Sequence, residues 1–369
     1  MKLTINPKEI APMLKRAERA IATKNIIAIL DNFLFEVNND SMRVTSFDNE
    51  VRVTITLPII ESDGEFSFCV DAKKFTQAIG SINSENATIE FDGNSTMVCK
   101  HKRGKFNLSY YNGDEYPKAD TDQGKSVFLK CGDVRSTISS VAFAVGNDAL
   151  HPTMCGVYFD FTKDSIVGVG TDAKMLAKYS HAKGDYSQFD SFIIPLKAVS
   201  IISTFMEQCN GEEEIEITND GKVCEFRMGS QWVIVFRQIN GRYPNYNAVF
   251  PQRTDNTAKV DRKDLIDSLG RAVLFSPSKT NTIRFHFAQD KIELIAQDID
   301  FNMSSTDEVD CQYNGQEMVI GFNGASILSI LSSMVCEEIC INLNDPTKAA
   351  LVYPSDSDDF VSLIMPIMV

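Results

Sequence analysis

The chain has 369 residues, 43% hydrophobic and 23% charged, with a formal net charge of −14. That composition excludes a disordered or low-complexity protein and implies more than one hydrophobic core. The acidic balance excludes a chain that binds nucleic acid over its whole surface, and leaves room only for a local basic face.

The opening MKLTINPKEI carries no apolar run of signal-peptide length, and no later stretch approaches the roughly 20 apolar residues of a membrane span. Asn6, Pro7 and Glu9 have the spacing of an N-cap, a first helical proline and a capping-box partner. Ile10, Met13, Leu14, Ala17 and Ile21 then mark one apolar helix face. Phe35 to Asp48 (FEVNNDSMRVTSFD) predicts a hairpin turning at Asp40. Phe66 onward (FSFCVDAKKFTQAIGSI) predicts a strand running straight into a helix, with Phe75, Ile79 and Ile82 at helical spacing. A second hairpin turns at Asp92-Gly93, and Glu115-Tyr116-Pro117 closes the series.

The order then begins again. A helix near Asp133 precedes a hairpin from Phe159 to Asp172 (FDFTKDSIVGVGTD) that turns at Asp164. A strand and helix follow from Ser191 (SFIIPLKAVSIISTFM), then an Asp220-Gly221 turn and Arg242-Tyr243-Pro244. The third round has a helix near Asp261, a hairpin from Phe285 to Asp298 (FHFAQDKIELIAQD) turning at Asp290, a strand and helix from Met318 (MVIGFNGASILSILSSM), and a turn at Asp345-Pro346. Asp48, Asp172 and Asp298 close the first hairpins at spacings of 124 (172 − 48) and 126 (298 − 172). Internal repetition of this kind decides the architecture. It predicts an α+β chain of three tandem similar domains, 1–124, 125–253 and 254–369, each with helices on one side of antiparallel sheet. Such sheets leave edges that a neighbouring unit or a second copy can pair.

Positive charge gathers on the predicted helices. Lys8, Lys15, Arg16, Arg19 and Lys24 oppose only Glu9 and Glu18, and Lys73 and Lys74 lie on the next helix. Arg135, Lys197, Arg262, Lys263 and Arg271 continue the pattern, whereas the acidic run Asp356-Ser357-Asp358-Asp359 lies elsewhere. Any one of these lysines reads first as an ordinary solvated side chain. Together they suit helices that face phosphate without reading sequence.

Catalytic motifs are missing: there is no Walker loop, GxGxxG, HExxH or GxSxG. His101, His151, His181 and His286 have no partner at metal-ligand spacing, and the nine scattered cysteines read as buried free thiols. The three hairpin-closing aspartates read as turn formers, and Gly168 and Gly170 in one strand are a weak phosphate signal. No cofactor is expected. The residues alone leave open a DNA-bound scaffold, a peptide-binding repeat protein without DNA, and an enzyme of unrecognised type.

Four segments resemble one known family, the bacterial sliding clamp or beta subunit of DNA polymerase III. Val169 to Ala177 (VGTDAKMLA) resembles the family's V-A-T-D-G-H-R-L-A, and Gly241 to Pro251 (GRYPNYNAVFP) resembles G-R-F-P-D-Y-x-x-V-L-P. Gly321-Phe322-Asn323 matches a G-F-N element, and Met365-Pro366-Ile367 resembles an M-P-M ending. The resemblance spans the chain. It implies a non-catalytic processivity factor in which two crescent-shaped chains join head to tail around duplex DNA, with helices lining the hole and sheets outside. It implies partners as well: the replicative polymerase, the clamp loader, and repair polymerases with mismatch-repair or ligase-type factors. These dock by short linear motifs between the second and third domains. Carried over by position, that pocket comprises Met154, Thr171, Lys174, Met175, Leu176, Pro244, Val249, Asn323, Ser326, Leu363, Ile364, Met365 and Pro366. The dimer interface comprises Phe106 and Leu108 against Leu274 and Phe275 of the second copy, with Lys74 nearby. Lys15, Arg16, Arg19, Lys24, Lys73, Arg135, Lys197, Arg262 and Lys263 are expected to face DNA. The expected location is the cytoplasm, on the nucleoid, with no membrane partner.

The chain also departs from the family's pattern. Family arginines are replaced by Met175, Ala248 and Met368, and a pocket tyrosine by Ser326, so a less basic and more open pocket is expected. Pro152-Thr153 replaces an aromatic pair on a DNA-facing loop.

Overall fold

The computed structural model of the protein describes residues 1–118, 124–181 and 183–369. The first repeat comprises β1 (Lys2–Ile5), α1 (Pro7–Ala17), β2 (Asn32–Val37), β3 (Ser41–Phe47), β4 (Val51–Pro58), β5 (Glu61–Ser62), β6 (Phe66–Asp71), α2 (Ala72–Gly80), β7 (Ala87–Phe91), β8 (Thr96–His101) and β9 (Gly104–Asn112). The second comprises β10 (Lys125–Lys130), α3 (Cys131–Val141), β11 (Gly156–Phe161), β12 (Ile166–Thr171), β13 (Met175–His181), β14 (Phe192–Pro195), α4 (Leu196–Met206), β15 (Glu214–Asn219), β16 (Val223–Met228) and β17 (Trp232–Arg237). The third comprises β18 (Thr257–Asp261), α5 (Arg262–Val273), β19 (Thr282–Phe287), β20 (Lys291–Asp298), β21 (Met303–Tyr313), β22 (Met318–Asn323), α6 (Gly324–Ser332), β23 (Glu338–Asn342), β24 (Ala350–Pro354) and β25 (Phe360–Ile364). The expected order of strand, helix, strands, helix and strands therefore recurs three times.

Local chemistry accounts for the punctuation. The Asn6 side chain accepts from the Lys8 N–H at 3.2 Å, and Pro7 takes the first helical position. Asp71, Asp261 and Asn323 cap α2, α5 and α6 in the same manner. Asp92 accepts three backbone N–H bonds, from Asn94, Ser95 and Thr96, and Gly93 supplies the positive φ of 83° that the turn requires.

The chain forms two compact units, Met1–Gly132 with Ser200–Gln238, and Asp133–Val199 with Ile239–Val369. In the first, strands hydrogen-bond in the order β10-β15-β16-β17-β4-β3-β2-β6-β9-β8-β7-β1-β5. In the second the order is β14-β11-β12-β13-β25-β24-β23-β18-β21-β20-β19-β22. Each ladder thus crosses from one repeat to the next at a single joint: β4 with β17, and β13 with β25.

The cores repeat in register. Phe35 lies opposite Phe68, Phe159 opposite Phe192, and Phe285 opposite Ile320. The first two pairs stack at 4.8 and 5.7 Å. All six side chains are at most 2% exposed. Truncating a phenylalanine in such a position costs about 3–5 kcal/mol. In β12 the two glycines admit α3: a Cβ on Gly168 would lie 2.4 Å from Thr137 Cγ2, and one on Gly170 would lie 2.2 Å from the Val141 carbonyl oxygen. Their purpose is close helix–sheet packing, not phosphate binding. None of the nine cysteines is in a disulfide, and burial pushes the Cys69 thiol up to about 12 and Cys99 to about 11, which keeps both protonated and inert.

Candidate docking cleft, sheet edges and basic helices

Asp172 shapes the cleft expected from the sequence. Its Oδ1 accepts from the backbone N–H of Lys174 (2.8 Å) and of Met175 (2.7 Å). Asp48 accepts likewise from Glu50 and Val51, and Asp298 from Asp300 and Phe301. All three aspartates are turn formers, as their recurrence indicates. The Asp172 turn drives Ala173 to a φ of 70°, a conformation that costs alanine roughly 1 kcal/mol relative to glycine.

Several bonds assemble the neighbouring groups. The Gly146 N–H donates to the carbonyls of Met154 (3.0 Å) and Thr171 (3.1 Å), which holds Met154 at the end of β12. Thr171 Oγ1 donates to the Met175 carbonyl at 2.7 Å. Across the joint, Met175 faces Ile364 and Leu176 faces Leu363. The Met365 N–H donates to the Lys174 carbonyl at 2.8 Å. Beyond it, the Ile367 N–H donates to the Gly321 carbonyl at 2.8 Å, so the tail lies along β22. A Cβ on Gly321 would meet Val369 Cγ1 at 2.4 Å. Asn323 and Ser326 join the group through this tail. Asn323 itself is engaged as a helix cap, accepting from the Ser326 N–H at 2.9 Å and donating to the Thr280 carbonyl at 2.8 Å.

A tyrosine network fastens Pro244 and Val249 beside the cleft. Tyr243 stacks on Tyr158 at 4.5 Å, and the Tyr246 hydroxyl donates to Asp160 Oδ2 at 2.7 Å. Lys178 Nζ donates to Asn247 Oδ1 at 3.3 Å and sits 5.7 Å from the Tyr246 ring centre. Burial raises the pKa of both linker tyrosines and lowers that of Lys178. Leu176 and Leu363 belong to the buried cluster of Val169, Tyr243, Tyr246 and Leu351. They are core, whereas Met365 (44% exposed), Val249 (54%) and Lys174 are exposed. Sequence reasoning singled out Gly321 only as part of the Gly321-Phe322-Asn323 element and missed Gly146 and the Tyr158–Asp160 anchor.

Strands β9 and β21 are each paired on both sides over only a short part of their length. In β9, Gly104–Ser109 bonds only to β8, and β6 takes up only Tyr110–Asn112. In β21, Met303–Asp310 bonds only to β20, and β18 takes up only Cys311–Tyr313. Among the described residues these stretches each keep one open edge. Phe106 and Leu108 lie on the open part of β9. Leu274 (73% exposed) and Phe275 (38%) follow the end of α5, and Lys74 is exposed on the first turn of α2.

Among the basic residues, Lys15, Arg19, Lys24, Lys73, Arg135 and Lys263 are exposed, and Arg16 and Lys197 are half-buried. Arg16 donates to Gln208 Oε1. Two arginines have other work. Arg262 donates from Nε to the Cys336 carbonyl (2.8 Å) and from Nη1 to the Leu331 carbonyl (3.1 Å), satisfying the end of α6, so part of its donor fork is engaged within the fold. Arg271 grips Asp307 with two bonds of 2.7 and 3.0 Å. His286 lies between Glu293 (3.2 Å) and Glu317 (2.6 Å), and His181 bonds Asp133 at 2.8 Å. Among the described residues no group of three or more His, Cys, Asp and Glu could hold a metal, and no helix is long and apolar enough to cross a membrane.

Comparison with known proteins agrees with this architecture. Sequence models of the DNA polymerase III beta subunit match the chain in three consecutive pieces: the N-terminal domain over residues 1–120, the central domain over 129–245 and the C-terminal domain over 247–368. The beta sliding clamp of Vibrio cholerae is 24% identical over the full length of both chains. That of Escherichia coli K12 is 21% identical over 99% of each. Among solved structures, the Pseudomonas aeruginosa sliding clamp bound to griselimycin superposes with a TM-score of 0.93 at 21% identity, covering all of both chains. The Thermotoga maritima beta subunit gives 0.90 at 23% identity, covering 100% of this chain and 99% of its own. The chain belongs to the DNA polymerase III beta subunit family, the beta sliding clamps, non-catalytic processivity subunits of three tandem domains that encircle DNA and tether the polymerase.

Proposed function

We propose that the ring of this clamp closes by pairing β9 of one copy with β21 of the other, and that partners dock on the cleft at the β13–β25 joint. The observation that carries the first part is the repeat itself. Strands β4, β13 and β21 occupy one position in the three repeats, and β17, β25 and β9 occupy another. β4 pairs with β17 and β13 pairs with β25, which leaves β21 and β9 as the remaining pair. Charge supports it: Lys102 and Arg103 lead into β9 and Lys105 lies in it, and Asp300 and Asp310 accompany β21, where Asp307 and Glu308 pair with Arg271 and Lys291. Phe106, Leu108, Leu274 and Phe275 form the apolar centre of the joint, with Lys74 at its rim.

Met154, Met175, Met365 and Val249 supply an adaptable apolar surface for linear motifs, and Lys174 is the one cation of the cleft set. The occupants are segments of the replicative polymerase, the clamp loader, repair polymerases and mismatch-repair or ligase-type factors. Lys15, Arg16, Arg19, Lys24, Lys73, Arg135, Lys197 and Lys263 face duplex DNA through phosphate alone, with Arg262 contributing less than the sequence suggested. The domains divide at 124/125 and 253/254, and the protein works in the cytoplasm on the nucleoid. Sedimentation at low micromolar concentration tests the joint. Leu274→Lys combined with Phe106→Lys yields monomers; a persistent dimer refutes the pairing.

A further inference from the structure

The β4–β17 joint reproduces the β13–β25 joint bond for bond. Val51 faces Phe236 as Met175 faces Ile364. The Arg237 N–H donates to the Glu50 carbonyl at 3.1 Å, as Met365 does to Lys174. Asn49 has a φ of 76°, close to the 70° of Ala173. Tyr116-Pro117 follows the first repeat as Tyr243-Pro244 follows the second.

A cavity of about 110 Å³ lies at this joint. Phe47, Val223, Val235 and Phe236 give it an apolar floor, and its rim carries Arg52, Lys118 and Arg237 against Glu50. It is far smaller than the roughly 300 Å³ at which small-molecule pockets begin, and it suits one side chain of an extended segment. Arg52 is committed elsewhere, donating to the Pro117 carbonyl at 3.0 Å and lying 4.3 Å from the Phe47 ring centre. Lys118 and Arg237 are exposed and form no ion pair among the described residues. At the repeat position of Arg237 the β13–β25 joint has Met365, at that of Arg52 it has Leu176 and at that of Glu50 it has Lys174, so the two joints place their charges differently.

We propose that this cavity is a second docking site, which takes an extended partner segment carrying an acidic side chain beside an apolar one. The inference rests on the reading of the β13–β25 joint as a docking cleft, from which it is extended by the repeat. Apolar floor and cationic rim select the ligand together, and attraction by exposed lysine and arginine weakens with salt.

Fluorescence anisotropy on the full chain tests it with two labelled octapeptides, one with two aspartates flanking leucine-phenylalanine and one with serines in their place. The acidic peptide is expected to bind the unaltered protein saturably. It should lose at least tenfold in affinity to Lys118→Glu with Arg237→Glu, and lose less with Met365→Lys. Lys118→Gln with Arg237→Gln should weaken binding in the same direction, which covers any misfolding of the reversed variant. An affinity indifferent to both double variants, or lost only with Met365→Lys, overturns the proposal. The serine peptide reports on the other cleft separately: if Met365→Lys leaves its binding intact, it is the β13–β25 reading that fails.

Discussion

Replacing Gly170 by alanine probes the packing that places the docking cleft. The added Cβ would stand 2.2 Å from the Val141 carbonyl oxygen, whereas ordinary contact begins at 3.4 Å, so the end of α3 must retreat by about 1 Å (3.4 − 2.2) or β12 must bend. The obstacle is backbone, which cannot rotate away. Overpacking costs roughly 1–3 kcal/mol, and this geometry lies at the upper end, about 3 kcal/mol. Gly168→Ala meets the Thr137 methyl at 2.4 Å, a side chain that can turn once its 2.8 Å bond to the Asp133 carbonyl is given up, so a loss of about 1–2 kcal/mol is expected. Gly270 in α5 has open space around its Cβ position, and Gly270→Ala should gain about 0.5–1 kcal/mol. Urea unfolding followed by circular dichroism gives the three values, and hydrogen exchange of α3 and β12 localises the first two. Gly170→Ala within about 0.5 kcal/mol of the parent would refute the close packing. The same holds if Gly270→Ala is the most damaging of the three. Because β12 ends at Thr171, Gly170→Ala should also weaken peptide binding at the neighbouring cleft.

Three further outcomes follow from the cleft and its surroundings. Ala173→Gly relieves the left-handed backbone and should raise the unfolding midpoint by the equivalent of about 1 kcal/mol; a lower midpoint means that the turn does not hold φ near 70°. Glu317 and Glu293 raise the His286 pKa above its ordinary 6.5. Its contribution to stability is therefore complete below the unfolded value and is lost as pH rises through the higher folded one. Glu317→Gln should lower the titration midpoint of His286 read by NMR, and an unchanged midpoint contradicts the assignment. Deleting Met365–Val369 removes both the Met365–Lys174 bond and the Ile367–Gly321 bridge, and should abolish partner-peptide binding while leaving the dimer intact. Retained affinity would show that the tail forms no part of the cleft.

What the sequence revealed was chemistry that acts over a few residues. An aspartate that accepts from the two or three N–H groups following it leaves the same mark at Asp48, Asp172 and Asp298, and those marks count the repeats. Alternation around Phe35, Phe159 and Phe285 shows which face is buried. Pairings between distant segments leave no such mark. Nothing near Arg262 announces that its donors end on Leu331 and Cys336, and nothing near Arg271 points to Asp307. The joints β4–β17 and β13–β25 join strands more than 170 residues apart, from different repeats, and only the folded chain shows them. The proposed cleft residues came from resemblance alone, because Leu176 and Leu363 on their own look like core, and in the structure they belong to a buried cluster. Gly168 and Gly170 hinted weakly at phosphate; the demand they meet is a helix lying against their strand.

The central claim is that DNA is held by a closed ring, with phosphate contacts secondary. The direct test loads the protein onto nicked circular DNA with a cognate clamp loader and ATP, washes with high salt, and linearises half of the sample. The account predicts retention on circles and escape from linear ends, because screening removes phosphate contacts but leaves a topological link. Equal loss from both forms, once loading is shown to be competent, would contradict it and leave a peptide-binding scaffold held to DNA only by charge.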